Sequence, residues 1–185
     1  KKSSIRYFSY KDLPDSFNKK NIELGIKLAN SQGIKTNNNN IISYEESVAY
    51  LGLNYVDLIN LHGADEAKKM WKKEGRQIFY PIFLMEKIIK DINPRMVIST
   101  NSPRSEKAAI RAASNLKIKS ICINDLFAIQ ESSWLSDKNF GDKVFVLNDS
   151  VKNLLVRKGR PASYIFVSGN PAFDSLFENE VISNA

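Results

Sequence analysis

From residue 94 onward, short apolar runs rich in β-branched residues alternate with longer stretches whose apolar positions recur at helical spacing. "PRMVIST" (94–100), "IKSICIN" (118–124), "DKVFVLN" (142–148) and "SYIFVSG" (163–169) read as four strands. Between the first two lies "NSPRSEKAAIRAASNL", a helix with Ser102 as its cap and Pro103 in its first turn. "DLFAIQESSWLSDKNFG" is a long connection. "DSVKNLLVRKGRP" is a short helix capped by Asp149 or Ser150, with Gly159 just past its end and Pro161 beyond. Strand and helix alternating with short turns predict an α/β fold, Rossmann-like and doubly wound around a mostly parallel sheet.

The first half is less regular. "SSIRYFSY" (3–10) reads as a strand and "KDLPDSFNKK" as a polar loop. "NIELGIKLANSQG" has Ile22, Ile26 and Ala29 on one helical stripe, and Gly33 ends it. The asparagine tract 37–40 reads as a surface loop, and "IISY" (41–44) and "NYVDLIN" (54–60) as short strands. Between 65 and 91 lie two helical patterns, broken near Gly75 and restarted around Pro81.

Composition adds limits. The 185 residues are 43% hydrophobic and 25% charged, an ordinary globular balance with ample material for a core. No apolar stretch approaches the roughly 18 residues needed to span a bilayer. The single cysteine, Cys122, sits inside "SICI", where a thiol packs rather than reacts, and a reducing compartment suits the chain. One histidine, His62, and one cysteine make a metal site a poor expectation. No Gly-x-Ser-x-Gly elbow, phosphate-binding glycine loop or dinucleotide fingerprint occurs.

The formal charge of +7 favours anionic partners. Its densest patch is "EAKKMWKKEGR" (66–76), where Lys68, Lys69, Lys72, Lys73 and Arg76 flank Trp71. A solvated helix face with one anchoring aromatic is the plain reading, and peripheral contact with an anionic membrane the sharper one. Nucleic acid is not an expected partner, because no matching motif or aromatic-rich basic repeat is present.

In an open parallel sheet, ligands bind beyond the carboxyl ends of the strands. Those ends carry small polar residues: Asn101 and Ser102 after the first strand, Asn124 and Asp125 after the second, Asn148 and Asp149 after the third, and Ser168, Gly169 and Asn170 after the fourth. Helix N-termini beginning there would favour phosphate or sugar hydroxyls. Asn101, Ser102, Arg104, Asn124, Ser168, Gly169 and Asn170 are therefore the candidate substrate-binding residues, with Asp125 beside them.

The order of these segments, ending in "VSGNPAFDSL", resembles the second half of the N-terminal domain of GT-B-fold sugar-nucleotide enzymes. These are the bacterial glycosyltransferases of capsule and lipopolysaccharide synthesis and the UDP-N-acetylglucosamine 2-epimerases that share their fold. The resemblance covers about residues 94–177, and its most specific piece is the "GNPxxD" stretch. It implies a Rossmann-like acceptor-side domain over 1–170 and a linker over 171–185 toward a second, nucleotide-binding domain.

The implied activity is transfer of a sugar, from a donor expected to be UDP-linked, to a glycan or lipid-linked acceptor. It would take place in the cytoplasm at the inner face of the plasma membrane and without a cofactor. Epimerases of this group carry an acid in a His-Gly-Asp-like loop, and Thr100-Asn101-Ser102 stands there instead, which argues against epimerisation. Inverting members often take their base from the loop after the first strand. That loop here holds Asp12 and Asp15, so Asp15 and Asp125 are the candidate catalytic residues. The alternatives are an epimerase-like enzyme or a non-catalytic sugar-nucleotide-binding module.

Overall fold

The computed structural model describes residues 7–36 and 41–174. Residues 3–6 of the first expected strand, the asparagine tract 37–40 and the linker from 175 onward lie outside them. The chain divides into two compact units, the first ending at Leu84 and the second beginning at Met85.

The described part of the first unit is helical. Two 3₁₀ turns, Tyr10–Asp12 and Pro14–Phe17, lead into α1 (Lys19–Ser31), α2 (Tyr44–His62) and α3 (Ala64–Glu74). The strand expected over 3–10 is not seen in its described part, residues 7–10. The Glu46 carboxylate takes the N–H groups of Tyr10 and Lys11, each at 2.9 Å, and holds that backbone as a turn against α2.

The strands expected at 41–44 and 54–60 are also overturned. Ser43 caps α2, accepting the Glu46 N–H at 3.2 Å, and 54–60 is helix interior. The cause is burial: α2 hides Val48, Leu51, Leu53, Tyr55 and Leu58 on several sides, so a short window shows apolar content without helical period. In α1 the packed face is Gly25, Leu28 and Ala29, while Ile22 and Ile26 stay more than a third exposed. The stripe is displaced because α1 and α2 meet backbone to backbone. A Cβ on Gly25 would land on the Val48 carbonyl, and one on Gly52 on the Asn21 carbonyl.

Trp71 stacks on Phe79 with ring centroids 5.5 Å apart and meets the edge of Tyr55, so α3 turns its aromatic inward. Its four lysines stay exposed, two of them near carboxylates: Lys69 with Glu66 at 3.3 Å and Lys73 with Glu74 at 3.2 Å. Buried Asp57 of α2 accepts the N–H groups of Phe83 and Leu84 at 3.2 and 2.8 Å. Those groups lack intrahelical partners at the start of α4 (Ile82–Ile92), and Asp57 satisfies them.

In the second unit the four expected strands are present: β1 (Met96–Thr100), β2 (Lys119–Ile123), β3 (Lys143–Val146) and β4 (Ile165–Val167). They form one sheet in the order β1-β2-β3-β4, every pair parallel. The connections are α5 (Ser105–Asn115), a loop containing α6 (Ser132–Leu135), and α7 (Asp149–Arg157). α5 begins later than the Ser102 cap implies: Arg104 is its N-cap, and Ser102 contributes its carbonyl to the Lys107 N–H at 3.1 Å. The cap of α7 is Asn148, one residue before the expected pair.

The core joins Cys122, Val144, Val146 and Ile165 of the sheet to Ile110 of α5, Leu135 of α6, and Val151 and Leu155 of α7. Ile89 of α4 packs with Ala112 and Ala113 of α5. These helices share one face of the sheet. The alternate residues Ile98, Ile123 and Phe166 point the other way and are exposed. Among the described residues of this unit, helices thus cover one face of an α/β parallel sheet. None of the described helices is long and apolar enough to cross a membrane.

Candidate functional site

Because the strands are parallel, their carboxyl ends share one edge, and the polar residues expected to line a cleft arrive there together. Asn101 follows β1 and is 7% exposed; Asn124 follows β2 and is 1% exposed. The Asn124 N–H continues the ladder by donating to the Phe145 carbonyl at 2.8 Å. Its side chain is different. Among the described residues neither Oδ1 nor Nδ2 has a hydrogen-bond partner, although both are buried. An orphaned buried amide costs about 1–3 kcal/mol, and it carries both a donor and an acceptor at the foot of this edge.

The ends of β2 and β4 are tied across β3. Asn170 donates from Nδ2 to the Asp125 carbonyl at 3.3 Å and accepts the Ala172 N–H on Oδ1 at 3.0 Å. That second bond caps the 3₁₀ turn Pro171–Phe173 with which the chain leaves the sheet. Gly169, at φ +72°, makes the bend, and the Ser168 hydroxyl donates to its carbonyl at 3.2 Å. The Ser168 N–H donates to the Val146 carbonyl at 3.0 Å, so the turn is hung from β3. Asn148 spends its side chain on the Val151 N–H at 3.1 Å, a structural cap. Ser102 and Arg104 are half-buried in the turn between β1 and α5, and the Asp125 side chain is exposed.

Asn101, Ser102, Arg104, Asn124, Asp125, Ser168, Gly169 and Asn170 therefore lie along one edge, with Asp125 and Asn170 in direct contact. Asp15 does not belong to this sheet: it sits in the turn Pro14–Phe17 of the first unit, where its backbone carbonyl accepts from Asn21 Nδ2 at 2.9 Å. His62 ends α2 at an exposed position.

Sequence reading missed Arg160. It is buried, and its guanidinium donates to the carbonyls of Leu135, Asp137 and Phe140 from one nitrogen and of Gly141 from the other, at 2.8–3.1 Å. It fixes the loop before β3. The one signal available was an arginine between a helix-ending glycine and a proline. Among the described residues no group of His, Cys, Asp and Glu is arranged to hold a metal ion. No protein-family profile, curated protein or solved structure matches this chain.

Proposed function

We propose that the carboxyl edge of the β1–β4 sheet is the acceptor-side lip of a sugar-nucleotide enzyme of GT-B architecture. Its reaction is transfer of a sugar from a UDP-linked donor to a glycan or lipid-linked acceptor, as in capsule or lipopolysaccharide synthesis. One observation carries the reading: the buried, unpartnered amide of Asn124 beside the Asp125–Asn170 bridge, at the edge where open parallel sheets bind ligands. An amide offers both a donor and an acceptor, the pair that sugar hydroxyls satisfy. In this reading the exposed Asp125 carboxylate takes the acceptor proton. No cofactor is required.

The test is product analysis with the protein carrying this chain, given UDP-N-acetylglucosamine and a lipid-linked saccharide. Sugar transfer with UDP release is expected. Asp125→Asn should lower turnover by about 10²-fold, the lower end for loss of a general base, with the thermal midpoint nearly unchanged. A donor epimerised without UDP release would establish the alternative. Tight donor binding with neither product would establish a non-catalytic module.

A further inference from the structure

At the opposite, amino-terminal edge of the same sheet lies a groove of about 490 Å³, within the range of small-molecule sites. The turn after α5, the first residue of β2, the loop before β3 and the residue before β4 build it. Lys117, Lys119 and Lys138 line it, and among the described residues none of the three has a carboxylate partner. Asp142 is the carboxylate of the lining, and its Oδ2 is engaged by the Ser120 N–H at 2.7 Å. The side-chain amide of Asn139 and the hydroxyl of Tyr164, also in the lining, make no hydrogen bond among the described residues. Three lysines, one asparagine and one tyrosine thus line one concavity, and three lysines against one carboxylate leave two positive charges unbalanced.

The backbone supplies an independent sign. Lys117 adopts φ +57° at the C-terminal end of α5, with the Ile118 N–H on the Ala113 carbonyl at 2.9 Å and the Lys117 N–H on the Ser114 carbonyl at 3.1 Å. That seat is normally given to glycine. A residue of the groove lining is thus held in a disfavoured backbone conformation, and strain of this kind gathers at functional sites. The helix C-terminus itself repels anions, so affinity must come from the side chains.

We propose that this groove binds a doubly charged phosphate group, with the lysines supplying charge-assisted hydrogen bonds and Asn139 and Tyr164 completing the donor set. The inference does not rest on the reading of the carboxyl edge. A phosphate of this kind comes either from a soluble phosphorylated compound or from a phospholipid headgroup, and two arms of one experiment separate them. The protein is titrated calorimetrically with inorganic pyrophosphate at constant ionic strength, and sedimented with vesicles of phosphatidylcholine and phosphatidic acid, a phosphomonoester lipid, in equal parts.

Saturable binding in either arm is expected, weakened about tenfold or more by K117Q/K119Q/K138Q. It should change less than about twofold in K68Q/K69Q/K72Q/K73Q, which removes more charge from α3. Pyrophosphate binding identifies a soluble source, and vesicle binding alone identifies the headgroup. Absence of saturable binding in both arms, or equal losses in the two variants, overturns the proposal. Thermal melts confirm that both variants fold.

Discussion

Arg160 and Cys122 occupy the same core region and make opposite demands on it. Arg160 is charged and 1% exposed, tolerable because its two terminal nitrogens meet four carbonyls, although its buried Nε meets no acceptor among the described residues. Arg160→Ala should cost about 3–5 kcal/mol, since it deprives those carbonyls of their donor and opens a cavity. Urea unfolding measures this, and a loss under about 1 kcal/mol would show that water replaces the guanidinium. Burial pushes the Cys122 thiol from 9.0 up to about 12, with Arg160 opposing the shift. The folded state therefore keeps a proton that the unfolded state releases. This contribution to stability is fully present below pH 9 and is lost as pH rises toward 12. A thiol reagent at neutral pH should label Cys122 only at the rate of unfolding, whereas labelling within seconds in native buffer would contradict its burial. The inertness of Cys122 was legible from "SICI". The role of Arg160 was not, because its partners lie 19 to 25 residues away in sequence and only the folded loop collects them.

Elements were legible where burial is one-sided. In β2 the pattern runs exposed, buried, half-buried, buried, exposed, and strands of this kind announce themselves by alternation and by the turns that bound them. α2 was misread because it is hydrophobic nearly all round, and α1 because its packed face centres on a glycine that no hydrophobic pattern displays. This yields a prediction with a sign. In an exposed helix, glycine to alanine gains up to about 1 kcal/mol from propensity. Gly25→Ala should instead destabilise by about 2 kcal/mol, because the new methyl meets the Val48 carbonyl and the helices must part. Chemical unfolding of the variant decides it: a gain in stability would mean that α1 and α2 are not in backbone contact. Of the candidate site, the edge was legible because turn residues fall at every strand end. The orphaned amide of Asn124 was not, since hydrogen-bond satisfaction belongs to the assembled sheet.

At the scale of the whole molecule, strand order decides what the sheet exposes. Right-handed crossovers between successive neighbours all pass over the same face, so β1-β2-β3-β4 places α5, α6 and α7 together and leaves the other face to be covered by something else. Parallel sheets are ordinarily covered on both sides. Here the second face presents Ile98 at 60% exposure and Phe166 at 43%, with Phe145 stacked on Phe166 at 5.4 Å and Lys143 5.1 Å above the Phe166 ring. If that face is open in solution, a charge placed on it should cost almost nothing. Ile98→Lys and Ile123→Lys should each shift unfolding free energy by no more than about 0.5 kcal/mol, as surface substitutions do. They should also lower the fluorescence of a hydrophobic dye such as anilinonaphthalene sulfonate, because they break up the apolar row. Val144→Lys, on the helix-covered face one strand away, is the control and should prevent folding. A loss of several kcal/mol from Ile98→Lys or Ile123→Lys would mean that the second face is packed in solution. Unchanged stability with reduced dye binding would leave the sheet one-sided, its apolar face available to whatever completes the layer.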